Sequence, residues 1–251
     1  MSASRAIGIW RLVAVQAASR GGTVYVADVC VAALAAVEVS GAGVMTGTGA
    51  GSGHVMCATD EVSEELAELQ LTLGEGPWPD ASAAGGPVLS SDLAAADVAV
   101  RWPGFAVAAR QAGAAAIFVF PLQIGAIRVG ALELYRSRPG PLSTDQLGDA
   151  LVLADTAVVL LLEGQDRAAG PAGPLSGPGG QPAELALHRA EIDQATGMLT
   201  EQLGVGIEEA FVRLRAYAYA DDRRLTEVAR DIVARRLRLG PDPDAPGDHV
   251  A

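Results

Sequence analysis

Apolar residues recur at helical spacing over residues 7–19 and again over 23–40, where Val24, Val31, Leu34 and Val37 mark one stripe, so both segments predict helices. The period then shortens. Residues 43–46 and 55–59 are short β-rich runs, and the Gly-rich stretch 47–53 between them reads as a hairpin tip. Residues 62–71 form an amphipathic helical pattern that Gly74-Glu75-Gly76-Pro77 stops. A further helical pattern covers 98–111, broken near its start by Pro103 and Gly104. Strands are predicted at 115–122 and 127–135 with a turn at 123–126. A closing helix is predicted at 144–162, with Ser143 or Thr144 as its N-cap and Asp145 in its first turn. Helix, hairpin, helix, hairpin, helix is the order of an α+β layer: an antiparallel sheet with helices packed on it.

Residues 163–182 interrupt this pattern with six Gly and four Pro, a composition that holds neither helix nor ladder and reads as a linker. Beyond it the pattern is helical throughout. Leu185, Ile192, Ala195, Leu199 and Leu203 line one face of a helix ended by Gly204, and a second helix is predicted over 207–220. Asp221 or Asp222 is the expected cap of a third helix, with Leu225, Val228, Ala229 and Ile232 as its buried stripe. The chain therefore divides into an N-terminal helix (1–22), an α+β domain (23–162), a Gly/Pro-rich linker (163–182), a three-helix bundle (183–239) and a disordered tail (240–251).

Charge sharpens that division. The formal charge is −12 over 251 residues, yet 184–239 carries nine Arg against ten acidic residues. The rest is strongly acidic and repels phosphate, so contact with a polyanion is expected in the bundle. All 18 basic residues are Arg, which excludes Schiff-base catalysis and a lysine-bearing phosphate loop. The three His lie far apart along the chain, as surface residues, and predict no metal site. Cys30 and Cys57 form a redox pair only if the fold brings them together; with one on an apolar helix face and one in a strand, they read instead as buried thiols that pack as small hydrophobes. The apolar run 150–162 is too short to span a bilayer, and Arg11 and Gln16 interrupt the first helix as a secretory segment would not. A cytoplasmic protein without membrane contact is expected.

The residues of the first domain carry a resemblance. Leu73-Gly74-Glu75-Gly76-Pro77, Pro87-Val88-Leu89 with Asp92-Leu93, Arg101-Trp102-Pro103, Pro121-Leu122 and Gly130-Ala131-Leu132-Glu133-Leu134-Tyr135 resemble, in this order, a GAF domain of the bacterial type paired with ANTAR domains. The resemblance implies a module that senses a small molecule or a protein signal. Trp78 stands where close relatives often carry Cys, so thiol chemistry at that position is absent here. Trp78, Arg101, Trp102 and Phe105 are the candidate ligand-binding residues, with Asp80 and Asp92 as further polar anchors; the alternative is that each ring simply fills the core. The cofactor, if there is one, is unknown.

In the bundle, Ile192-Asp193-Gln194-Ala195-Thr196-Gly197-Met198-Leu199, Glu209-Ala210-Phe211 with Leu214-Arg215, and the run from Leu225 to Ala229 resemble an ANTAR domain. That family binds paired RNA hairpins in nascent transcripts and so prevents terminator formation. The matching positions for an RNA face are Gln194, Ala195, Gly197, Arg215, Ala218, Arg223, Arg224 and Thr226, where small residues admit loop bases and Arg or hydroxyl groups meet the backbone. Thr196 replaces a frequent Lys, and Gly206 replaces the usual Ser N-cap of the second helix. The resemblance implies a signal-responsive RNA-binding antitermination regulator, expected to be a homodimer because two hairpins favour two modules per assembly. No catalytic set converges, and no enzymatic activity is expected. A DNA-binding regulator with a helical C-terminal domain is the alternative.

Overall fold

The computed structural model describes residues 3–47, 53–168, 181–221 and 223–240. Its chain forms two compact units, 1–186 and 187–251. The expected hairpin tip and C-terminal tail lie almost wholly outside the described residues, as do residues 169–180 of the expected linker, Asp222 as a cap, and His249.

The first unit is an α+β fold. In order it holds α1 (Ala3–Arg20), α2 (Val26–Val37), β1 (Gly41–Thr46), β2 (His54–Ala58), α3 (Glu61–Leu73), α4 (Pro77–Ala84), β3 (Val88–Ser90), α5 (Ala96–Arg101), α6 (Pro103–Gln111), β4 (Ala116–Ile124), β5 (Ile127–Arg136) and α7 (Thr144–Ala168). The five strands make one sheet in the order β2-β1-β5-β4-β3, every pairing antiparallel. Both of its faces are covered. Ala42, Val44, Phe118, Phe120, Leu132 and Leu134 point into a core shared with α1, α2 and α7. Residues of opposite parity meet α3 and α4: Glu133 reaches Gln70, and the Tyr135 hydroxyl donates to Asp60 at 2.8 Å. A strand buried on both sides gains from apolar residues at every position, which is why residues 116–122 read as a continuous apolar run rather than an alternation.

Several elements differ from the sequence expectation. The helix expected to end at 162 continues to Ala168, and α8 begins at Gln181, so both ends of the expected linker are helical. α4 and β3 were unforeseen, since each is short and the first opens on Pro77. Cys30 and Cys57 are not separate thiols: α2 lies over β2 on one sheet face, and the two form a disulfide. His54 is only partly exposed, its Nδ1 buried, rather than a surface residue.

Asp60 ties the start of α3 to the sheet. Its carboxylate accepts the Ser63 backbone N–H and hydroxyl, both at 2.7 Å, as well as the Tyr135 hydroxyl. Burial, then this partner, pushes the Tyr135 hydroxyl pKa upward. Removing a cap and a charged acceptor together costs about 2 kcal/mol. We expect Asp60→Ala to lower the urea midpoint of this unit, read by tryptophan fluorescence, because Trp10, Trp78 and Trp102 all lie in it.

The second unit packs α8 (Gln181–Leu203), α9 (Ile207–Ala220) and α10 (Leu225–Val233). Ile192, Ala195, Leu199, Phe211, Leu214 and Val228 are among its buried residues. Gly204, at φ 66°, ends α8 in the left-handed conformation that glycine adopts without penalty. Gly206 caps α9 without a side-chain bond. The N-cap of α10 is Arg224 rather than Asp221 or Asp222, and Asp221 closes α9 instead.

Candidate nucleic-acid interface

α10 ends at Val233, so Arg235, Arg236 and Arg238 lie beyond the third helix. The chain reverses there. Arg235 takes φ 58°, and the backbone N–H groups of Arg236 and Leu237 donate to the Asp231 carbonyl at 2.8 and 3.2 Å. Leu239 is buried, and Gln202 of α8 donates to its carbonyl, which holds the returning segment against α8. Between them opens a cleft of about 920 Å³, lined by Gln194, Gly197, Met198, Glu201 and Gln202 of α8 with Ile232, Arg235, Leu237 and Arg238.

The cleft holds the apolar side chains of Met198, Ile232 and Leu237 together with two amides, two guanidinium groups and the Glu201 carboxylate. A Cβ placed on Gly197 would meet no atom within 4 Å, so a flat group can approach the α8 backbone there. The other cations are mostly neutralised. Arg213 pairs with Glu209 at 2.7 Å, Arg230 with Glu191 at 3.2 Å, and Arg223 and Arg236 both with Asp231 at 2.7 Å. Hydrogen bonds from Arg223 and then Arg236 hold the Asp231 carboxyl below the usual range, and the same partner raises the Arg223 pKa. Among the described residues, Arg235 and Arg238 make no ion pair.

The expected RNA-contacting residues separate into two groups. Gln194 and Gly197 lie in the cleft. Ala195 and Ala218 are fully buried and pack the bundle core. Arg215 is half-buried with its guanidinium 5.9 Å from the centre of the Phe211 ring, and desolvation lowers its pKa. Arg223 is engaged by Asp231 and lies 3.8 Å from Glu227, Arg224 is exposed at the start of α10, and Thr226 is partly buried in its first turn. None of these last residues lines the cleft. Arg235 and Arg238 enter it because the chain turns back after Val233, a turn made by a non-glycine residue in left-handed conformation that leaves no compositional mark.

In the first unit, Trp78, Trp102 and Phe105 are buried core residues. Trp102 packs edge-on against Phe105, with ring centres 6.1 Å apart, and its indole N–H donates to Asp80 at 3.0 Å. Arg101 donates to the same carboxylate at 2.7 Å and lies over the Trp102 ring. Asp80 thereby joins α4 to α5 and α6. Asp92 has a local role, accepting the Ala94 N–H at 2.8 Å. The Leu73 to Pro77 motif has a structural reading: Gly74 ends α3 at φ 69°, Pro77 opens α4, and Glu75 accepts the N–H groups of Gly104 and Phe105 at 2.7 Å, capping α6. Beside them lies a polar cluster that periodicity does not reveal. Gln70 donates to Glu133 and to the Leu66 carbonyl and accepts the Trp78 backbone N–H at 2.7 Å, while the Trp78 indole N–H is buried without a partner among the described residues. Burial pushes the Glu133 carboxyl up to about 7.

Among the described residues no helix is long and apolar enough to cross a membrane, and no group of three or more His, Cys, Asp or Glu side chains is placed to hold a metal ion. No curated protein matches the sequence. Among solved structures, the chain is similar to a domain of a two-component sensor histidine kinase protein from Sinorhizobium meliloti 1021, at 21% identity and TM-score 0.46, over 56% of this chain and 91% of that one. It is also similar to the GAF domains of phosphoenolpyruvate-protein phosphotransferases from Coxiella burnetii (12% identity, TM-score 0.47, 66% of this chain and 99% of that one) and Acinetobacter (13%, 0.46, 67% and 99%). The ANTAR domain family matches residues 184–233, a span that takes in α9, α10 and most of α8. Residues 184–233 of this chain are an ANTAR domain.

Proposed function

We propose that the protein is a signal-responsive transcription antitermination regulator whose ANTAR domain binds RNA hairpins through the cleft between α8 and the segment after α10. The observation that carries this reading is the meeting of Gln194 and Gly197 with two guanidinium groups, Arg235 and Arg238, that make no ion pair among the described residues. A hairpin loop presents unstacked bases beside a curved phosphate backbone. Guanidinium planes and the Met198 side chain suit base faces, Gln194 and Gln202 suit base edges, and Arg charge suits phosphate. Two such modules in one homodimer would engage two hairpins with the advantage of effective concentration.

The first unit is then the sensor, a GAF-like domain by the order of its motifs, receiving a small-molecule or protein signal. Its polar cluster of Gln70, Glu133 and the Trp78 indole is the place where a ligand group has partners to gain.

The test is a gel-shift comparison of the full chain on a two-hairpin RNA and on a DNA duplex of equal charge at one salt concentration. We expect the RNA to bind at least about tenfold more tightly, a difference of roughly 1.4 kcal/mol. Equal affinity, or preference for the duplex, would favour the DNA-binding alternative.

A further inference from the structure

The chain leaves the described part of the second unit beside its cleft. Leu239 is buried and Gln202 holds its carbonyl, so whatever follows Gly240 starts next to the cleft residues Gln202 and Arg238. Arg213, Arg223, Arg230 and Arg236 each hold a carboxylate within the bundle. Arg235 and Arg238, by contrast, are exposed in the cleft without an ion pair among the described residues, and Glu201 is the one anion that lines it with them.

Residues 241–251 lie outside the described residues, and their charge is one-sided: Asp242, Asp244 and Asp248 are present and Arg is not. Their reach fits the cleft. Gln194 lies eight residues before Gln202 on α8, about 12 Å along the helix axis. Asp242 and Asp244 follow Leu239 by three and five residues, which an extended chain spans in about 10 and 17 Å. Pro241, Pro243 and Pro246 narrow the conformations open to the free segment, and so reduce the entropy lost on docking. Attachment at Leu239 also holds the carboxylates at a local concentration on the order of 1 mM, so a contact too weak to retain a free peptide is populated.

We propose that residues 241–251 dock in this cleft of their own molecule, Asp242 and Asp244 meeting Arg235 and Arg238, and that RNA must displace them. Continuity at Leu239, opposite charge and matching reach select this segment as the occupant. A carboxylate offers a guanidinium group the same acceptor oxygens as a phosphate does, but it brings no base to the Gln194 and Gly197 end of the cleft. A hairpin loop that supplies both base and phosphate displaces the segment, whereas a polyanion that supplies charge alone gains less over it. Exposed carboxylate–guanidinium contacts are individually weak and screened by salt, which suits a contact that has to yield. The competition rests on the RNA reading given above; the docking itself requires no RNA.

The test compares the full chain with a form ending at Gly240 and with a full-length form carrying Asp242→Asn, Asp244→Asn and Asp248→Asn. Amide NMR spectra of the ¹⁵N-labelled proteins read the cleft at the Gly197 backbone and the Gln194 side chain, and fluorescence anisotropy reads affinity for a two-hairpin RNA. We expect both cleft signals to differ between the full chain and each altered form at low salt, to converge at high salt, and to be independent of protein concentration. RNA affinity should rise about threefold or more in both altered forms. Unmoved cleft signals would overturn the proposal even if affinity rose, because repulsion at a distance would then suffice. Moved signals with unchanged affinity for an RNA that binds would overturn the competition. Signals that revert on dilution would place the segment in a neighbouring molecule and overturn the proposal equally. Moved signals in a protein that binds no hairpin RNA would uphold the docking and overturn instead the RNA reading of the cleft.

Discussion

Raising the pH from 5 to 8 is expected to destabilise the first unit of the wild type by on the order of 3 kcal/mol relative to Glu133→Gln. Glu133 is buried, and burial lifts its carboxyl from 4.5 to about 7, opposed only by the hydrogen bond from Gln70. The sign follows from proton binding. Between the unfolded and folded values the native state holds a proton that the unfolded chain has lost, so stability is greatest below about 4.5, falls as pH rises toward about 7, and stays low above it. Glutamine is neutral throughout and keeps a carbonyl oxygen for the Gln70 amide. Urea titrations read by tryptophan fluorescence at pH 5, 6, 7 and 8 report this unit alone, since all three Trp lie in it. The two proteins should match at pH 5 and separate progressively, with the variant more stable at pH 8. Parallel curves would show that the Glu133 side chain is hydrated and titrates normally.

Glu133 also marks what a linear sequence conceals. The strand over 127–135 is legible from its β-branched and aromatic residues, and its carboxylate sits in the same motif as Leu132 and Leu134. Its burial depends on α3 lying across the opposite sheet face, which brings Gln70 beside it from 63 residues away. The disulfide was hidden for the same reason: Cys30 and Cys57 are 27 residues apart, and their meeting depends on the packing of α2 over β2. Local chemistry was more readable. Gly74 and Pro77 punctuate α3 and α4, Pro103 opens α6, and Ser143 accepts the Gln146 N–H at 3.2 Å in the first turn of α7.

The second unit repeats that lesson with a functional consequence. Its helices follow from their periodicity, and α9 spans Ile207–Ala220 as read from the chain. The cleft does not follow, because Arg235 and Arg238 reach it through a reversal that helical continuation would have carried the other way. Ala195 and Ala218 illustrate the converse. A small residue at helical spacing reads equally as a surface that admits a base and as a core position, and here both alanines are core. Gly197 alone among these small positions is exposed with open space beyond its Cα.

That property separates stability from binding. Glycine inside a helix costs about 1 kcal/mol relative to a good helix former. A Cβ at Gly197 meets open space, so in Gly197→Leu melting of the second unit, followed by far-UV circular dichroism, should shift upward by an amount corresponding to about 1 kcal/mol. The same side chain would stand in the cleft beside Gln194 and Met198, where a loop base is proposed to lie. The most direct measurement is therefore the affinity of full-length Gly197→Leu for a two-hairpin RNA, by fluorescence anisotropy at fixed salt beside the wild type. We expect a loss of about tenfold or more, roughly 1.4 kcal/mol, in a protein that is more stable than its parent. Wild-type affinity in the stabilised variant would contradict the assignment of RNA binding to this cleft.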